Sequence, residues 1–389
     1  MKNTYFQFAL AALIGVSLAG YMTADNIGGY LETDLVVNKS VGGVPTLSDA
    51  NGIVHIAKFF DPHLVNPWGV GESAASPFWI SDNGAGISTL YNTAGSPQAL
   101  AVTIPSPGQP LGNGGAPTGV VFNIDGGALG GFKISGVTAG GLPTTQAAVF
   151  LFSTEDGTIL GWNPGVNPVG FDPSKAGTYA IIAAHPLGAT YKGLAIATDG
   201  TGTTRLYAPN FHAGTVDVFD TSFNRVSTSG GFVDTGLPRK YAPFNVVLLG
   251  GKLFVTYAVQ DEDAEDDVAG MSHGIVNTFD LAGRFLQRFA QHGQLNSPWG
   301  VALAPASFGV LAGTVWIGNF GNGQINAYNP TTGEFIDKVR NPRGQAIVID
   351  GLWSLKVGNG GNGGLANTIY FTAGPNDEKD GLFGSLGPQ

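Results

Sequence analysis

Residues 66–92 read NPWGVGESAASPFWISDNGAGISTLYN. A Pro-Trp-Gly opens a short apolar strand, Phe78-Trp79-Ile80 starts a second that ends in Ser81-Asp82-Asn83-Gly84, and a third closes at Tyr91. Gly, Asn and Asp between the apolar runs are the residues that tight turns demand, so the stretch predicts three antiparallel strands, with Ala99–Ile104 as a fourth.

Variants of this paragraph recur. The second spans 117–122 and 148–163, interrupted by a Gly-rich insert at 126–147 that reads as an exposed loop or small hairpin around Phe132-Lys133-Ile134. The third covers 191–197, 205–214 and 215–220; the fourth 242–249, 252–263, 274–280 and 284–289. The fifth covers 297–306, 314–323 and 324–329, and the sixth 350–358, 367–377 and 381–386. A period of roughly fifty residues with three to four strands each predicts an all-β chain, a six-bladed β-propeller. Two packed β-sandwiches are the alternative, but sandwiches do not usually repeat Pro-Trp-Gly at corresponding positions. The isolated strand at Thr33–Asn38 completes the sixth blade if it pairs with that blade's third strand, which removes an open edge. The expected organisation is a signal peptide at 1–19, a flexible lead-in at 20–32, one propeller domain at 33–386 and a tail at 387–389. Residues 41–60 read as a connector.

Gly 61 and Pro 23 are high and charged residues are only 12%, yet aromatics reach 11% and the apolar segments stay regular, so short ordered strands fit better than disorder. A net charge of −10 excludes a nucleic-acid partner, which needs a basic footprint. It fits a solvated acidic surface or a protein that uses cations. Lys2, the apolar run from Phe6 to about Val16 and Ser17-Leu18-Ala19 have the pattern of a secretory signal, so a secreted or periplasmic, monomeric chain is expected, with no integral membrane segment after cleavage. With Cys 0, stability must come from packing and not disulfides.

The repeat pattern resembles the NHL repeat of six-bladed propellers. NPWGV, STEDGTILGWNP, YKGLAIA, NFHAGTVDVFD, YAPFNV, DDVAG, DGLWSL and FTAGPNDEKDGLFGSL together are similar to a family of exported bacterial propeller proteins of unassigned function, over almost the whole chain from about residue 33 to 386. Many of those relatives carry a C-terminal sorting tail with a Pro-Glu-Pro-like motif. This chain reads Gly387-Pro388-Gln389 there, which implies free secretion or periplasmic residence over surface anchoring.

In antiparallel blades the residue before the first strand and the turn after the second lie at one end of the sheet. That places Asn66, Trp68, Asp82, Asn83, Glu155, Asn210, His212, Asn245, Gln260, Asn319 and Asn376 on one face around the axis, as a candidate polar and aromatic binding surface for a small molecule, glycan or protein. Turn chemistry accounts for the Asn and Asp residues equally well, and Trp68, Trp299 and Trp353 read as packing wedges. The acidic run 261–267 has the oxygen donors that Ca²⁺ takes, with Asp261, Asp266 and Asp267 as the expected metal ligands; a solvated loop is the alternative. No HExxH, Walker loop or G-x-S-x-G is present. Three functions stay open: a binding scaffold, a Ca²⁺-dependent lactonase or esterase with an axial metal held by Asp82, Glu155, Asn210, Asn245, Asp261 and Asn319, or a purely structural or surface-layer role.

Overall fold

A computed structural model describes residues 29–127 and 130–389. Its framework is six antiparallel sheets, each running from an inner first strand outward in chain order. The first sheet is Pro67–Gly71, Phe78–Asp82, Ile87–Tyr91 and Pro97–Thr103. The next four begin with Pro117–Phe122, Ala195–Thr198, Tyr241–Leu249 and Pro298–Leu303, and each has four strands. The sixth begins with Leu352–Val357 and continues through Ile369–Ala373 and Leu382–Pro388. Tyr30–Val37 then pairs antiparallel with Leu382–Pro388, from Tyr30 opposite Pro388 to Val37 opposite Leu382, and Phe59–Phe60 adds a short parallel edge.

Each first strand packs against the first strand of the sheet before and the sheet after, and the sixth also touches the first. Six apolar clusters fill the spaces between consecutive sheets. Trp79, Phe150 and Trp162 join the first to the second. Leu35, Phe78, Tyr91 and Phe383 join the sixth to the first. A sheet covered on both sides buries both faces of its strands, which is why Phe78–Asp82 and Ile369–Ala373 are buried at every position and do not alternate. Each fully buried Phe or Leu contributes about 1.5–3 kcal/mol, so a core of this extent needs no covalent staple.

Several expectations need correction. Residues 41–60 are not a plain connector, because Ser40–Val41, Val44–Ser48 and Val54–Ile56 form a separate three-stranded sheet. Residues 30–32, expected in the lead-in, pair in the sixth sheet with 386–388, the last two of them expected in the tail. The Gly-rich insert does hold the expected hairpin, Lys133–Val137 with Pro143–Ala147, although Phe132 and Ile134 are buried and not exposed. The expected signal peptide lies outside the described residues.

Candidate functional site: the two ends of the central axis

The repeated Pro-x-Gly has a structural cause. In five first strands the pairing register slips by one residue across that position, between Pro67 and Val70, Pro117 and Val120, Pro243 and Asn245, Pro298 and Val301, and Leu352 and Leu355, even where the words are Pro-Phe-Asn and Leu-Trp-Ser. The third sheet does the same, with Tyr191 bridged to Asn210 and Ala195 opposite Tyr207. A bulge leaves one residue unpaired and re-aims it. The residues at that position are Trp68, Thr118, Lys192, Phe244, Trp299 and Trp353, one from each sheet. In four of the six sheets a glycine follows and permits close approach of neighbouring backbones: a Cβ on Gly300 would lie 2.6 Å from the Trp353 carbonyl, and one on Gly69 would collide with that of Thr118.

At the start of the first strands these side chains form a plug. Trp68 and Trp353 stack with centroids 3.6 Å apart, Trp299 meets both edge-on, and Phe320 stacks on the other side of Trp353. Phe211 and Phe244 complete the cluster. The one cation in this ring is Lys192, whose side chain is only 2% exposed. Its ammonium bonds Glu155 and, at 3.0 Å, Asp266, and it lies 5.4 Å from the Trp68 ring centre. Burial pulls its pKa down, but Glu155 and Asp266 outweigh that and hold it above the usual lysine range.

A polar roof covers the plug. Asn83 donates to Glu155 at 2.7 Å, while Asn66 donates to Glu378 at 2.6 Å and accepts the Trp353 indole N–H at 3.0 Å. Burial, with Glu155 nearby, pushes the Glu378 carboxyl up to about 7 against the Asn66 hydrogen bond. Asn376, Asp377 and Glu378 all sit at positive φ, a conformation non-glycine residues adopt at a cost, and this tight coil carries Glu378 to Asn66.

The other end of the axis is open. A cavity of about 750 Å³ is lined by all six first strands, including Gly69, Val120, Leu194, Val247, Val301 and Leu355, with Trp299 shared between its wall and the plug. At this end Glu72 faces Lys356 at 3.6 Å. Burial raises the Glu72 carboxyl to about 7, despite Lys356.

The expected face is therefore only partly assembled. Asn66, Trp68, Asn83 and Glu155 come together at the plug. Asp82 is fully buried within its own sheet, accepting from Thr89 N–H and Oγ1 at 2.9 and 2.7 Å. Asn210 is held by Thr190 and Asp217, Asn319 by Gln294 and Asn322, and Asn245 donates to the Trp299 carbonyl. Gln260 donates to the carbonyls of Phe211 and His212, and the His212 residue itself is exposed. Asn376 reaches away to the Ser48 carbonyl and Asp380. Their side chains satisfy turns, strand ends and neighbouring elements, and Trp299 aside the aromatic groups make a solid plug in place of pocket walls. Of the six residues proposed for an axial metal, Glu155 reaches the plug and Asn245 lines the axial cavity, and at the plug the positive charge is the Lys192 ammonium.

Nor do the acidic-loop ligands converge. Asp261 accepts the Glu265 N–H at 2.9 Å, Asp266 pairs with Lys192, and Asp267 is half-buried beside Ser297. Among the described residues, the group of three His, Asp or Glu atoms close enough to share a metal ion is Glu32, Asp34 and His55, which lies elsewhere. Sequence reasoning missed that group, Glu72 and Lys356, because no motif marks them, and missed Glu378, which lies within FTAGPNDEKDGLFGSL but in no ligand pattern.

No protein-family model matches the chain. An uncharacterized protein of Acanthamoeba polyphaga mimivirus is 31% identical over 333 residues, 84% of this chain and 76% of the relative. A second uncharacterized mimivirus protein is 31% identical over 343 residues, 85% of this chain and 82% of its own length. Among solved structures, a catalytically inactive virginiamycin B lyase from Staphylococcus aureus with quinupristin aligns with a TM-score of 0.50 at 11% identity, covering 92% of this chain and 99% of the lyase. A glucose dehydrogenase aligns with a TM-score of 0.48 at 13% identity, covering 84% and 98%. The lyase likeness is one of fold, propeller-type and all-β. By the identity and the length shared, the chain belongs to the same family as the two mimivirus proteins.

Proposed function

We propose that this protein is a ligand-binding scaffold built as a closed, six-bladed, NHL-like propeller, and that its ligand enters the axial cavity opposite the Lys192 plug. The observation that carries the reading is the cavity itself. Its volume of about 750 Å³ is within the size range of small-molecule sites, roughly 300–1,000 Å³. Its walls are mainly backbone glycine and aliphatic side chains, with the Glu72–Lys356 pair as a polar element. That combination suits a small amphiphile with an apolar body and one polar end. The plug floors the site, so entry is from one side.

The test is a titration with N-phenyl-1-naphthylamine, an apolar dye whose emission rises out of water. One saturable site is expected, weakened at least tenfold by Leu303→Arg and by Val247→Trp, two residues that line the cavity. Dye binding that survives both changes, or no saturable binding at all, would overturn this reading.

A second reading rests on the opposite end, where Glu155, Asp266 and Glu378 gather around the plug and the 261–267 loop adds further carboxylates. That surface suits a cationic partner. The axial Ca²⁺ hydrolase loses its support, because Lys192 supplies the positive charge that a metal would bring. Export remains part of the proposal, supported by the signal-like pattern of residues 1–19. Recovery of a chain starting after about residue 19 from the periplasm or medium tests it; an uncleaved chain retained in the cytoplasm would refute it.

A further inference from the structure

A second, separate constellation lies on the rim, between the Tyr30–Val37 strand and the three-stranded sheet. Glu32 and Asp34 are two apart on one strand, so their side chains leave on the same side. His55 stands in the middle of Val54–Ile56, buried between two exposed neighbours, and its ring is 3% exposed. Its Nδ1 lies 3.2 Å from Asp34 Oδ2 and 3.8 Å from Glu32 Oε1. On the far side of the ring, Nε2 faces Asp49 Oδ2 at 3.6 Å, and both atoms are buried without a hydrogen-bond partner. The other Asp49 oxygen accepts the Ile53 N–H at 2.7 Å, which fixes the carboxylate behind the imidazole.

This arrangement is that of a histidine metal ligand with its orienting carboxylate. With the proton on Nε2 directed at Asp49, Nδ1 presents a lone pair toward two carboxylates, and three acceptors around one point require a positive centre. Zinc-class ions hold N and O donors at about 2.0–2.2 Å, which places two tetrahedral ligands about 3.4 Å apart, between the two Nδ1 distances seen here. A carboxylate on the second ring nitrogen is the common means of setting tautomer and orientation. Glu32 also borders a surface groove of about 480 Å³ lined by Ile53, Asn341, Pro342 and Gln345, which gives the ion an entry path and an outer position for water.

We propose that Glu32, Asp34 and His55, backed by Asp49, bind one first-row divalent cation of the zinc class and thereby clamp the three-stranded sheet to the outer strand of the sixth sheet. Calcium is the wrong partner, because it takes six to eight oxygens and this site supplies an imidazole and two carboxylates. The reading is independent of the axial cavity.

The full chain, stripped with EDTA and dialysed, would be titrated with Zn²⁺ by calorimetry and with Co²⁺ by visible absorbance. One equivalent of each should bind, with Co²⁺ bands in the visible, and Zn²⁺ should raise Tm while Ca²⁺ leaves it unchanged. Glu32→Gln, at a partly exposed side chain that tolerates the change, and His55→Gln should each weaken Zn²⁺ binding at least tenfold. Absence of binding would show that an imidazolium fills the centre and overturn the proposal. Equal binding by Glu32→Gln would also overturn it, by placing the ion elsewhere, as would a Ca²⁺ shift equal to that of Zn²⁺.

Discussion

Trp353 donates its indole N–H to Asn66 Oδ1 at 3.0 Å, joining the sixth sheet to the first across a sequence separation of 287 residues. Asn66 meanwhile donates to Glu378 and sits at φ 47, a conformation that asparagine tolerates better than most side chains. Asn66→Ala should therefore lower stability by about 2–4 kcal/mol, from an orphaned buried indole and a strained backbone. Asn66→Gly removes the strain but not the orphaned donor and should cost less. Urea unfolding of both variants measures the difference; equal losses would show that the φ contributes nothing.

Lys192 and Glu155 form a testable pair. Glu155 and Asp266 retain some solvent when the ammonium is removed, with side chains 24% and 78% exposed. Lys192→Met should then cost only about 1–3 kcal/mol, below the roughly 3–5 kcal/mol typical of a fully buried broken pair. A double-mutant cycle with Glu155→Gln should give a coupling of about 1–2 kcal/mol. A coupling near zero would make Asp266 the principal counterion.

Glu72 predicts a pH dependence. Its folded pKa of about 7 lies above the ordinary value of 4.5, so the folded state holds a proton that the unfolded chain releases. The associated stability is complete below about pH 4.5 and is lost as pH rises through 7. The loss attributable to Glu72 should be on the order of 1–3 kcal/mol, with Lys356 and Tyr370 as its charged and titratable neighbours. Glu378 has the same sign, so the measurement is the difference between wild type and Glu72→Gln in urea melts from pH 5 to 8. A difference that does not change with pH would place the Glu72 carboxyl in water.

Asp377 sits at φ 53 with its side chain 91% exposed, and its polar contact is Lys379 at 3.5 Å. Asp377→Gly should be neutral or stabilise the fold by up to about 1 kcal/mol, because relief of left-handed strain offsets the added freedom of the unfolded chain. A clear fall in Tm would mean that the aspartate makes a contribution beyond its conformation.

Much of the architecture was legible because the bulge leaves a trace: Pro-Trp-Gly, Pro-Thr-Gly and Tyr-Lys-Gly look different as words but occupy one backbone position. The binding surface was less legible for two physical reasons. Asn and Asp serve turns and ligands alike, so Asp82 and Asn319 read as site residues although each closes a hydrogen bond at home. The cavity has the opposite problem, since Gly69, Val120 and Val301 line it with the residues of any buried strand. His55 was hidden in a segment too short to show periodicity, and its partners Glu32 and Asp34 lay where a lead-in met a strand.

The pairing of Tyr30–Val37 with Leu382–Pro388 gives the fold a seam whose position is a matter of convenience. The Gln389 N–H donates to the Gly29 carbonyl at 3.1 Å, so a linker of a few residues would splice those two positions without disturbing a sheet. New ends opened in the exposed Thr138–Gly141 turn should then leave the same sheets in place. Every sheet would be closed within one continuous run of chain except the second and the two-stranded hairpin of the insert, which would inherit the task of joining distant segments. In such a permuted molecule the slow long-range step of folding would move from the sixth sheet to the second, while the finished fold stayed the same.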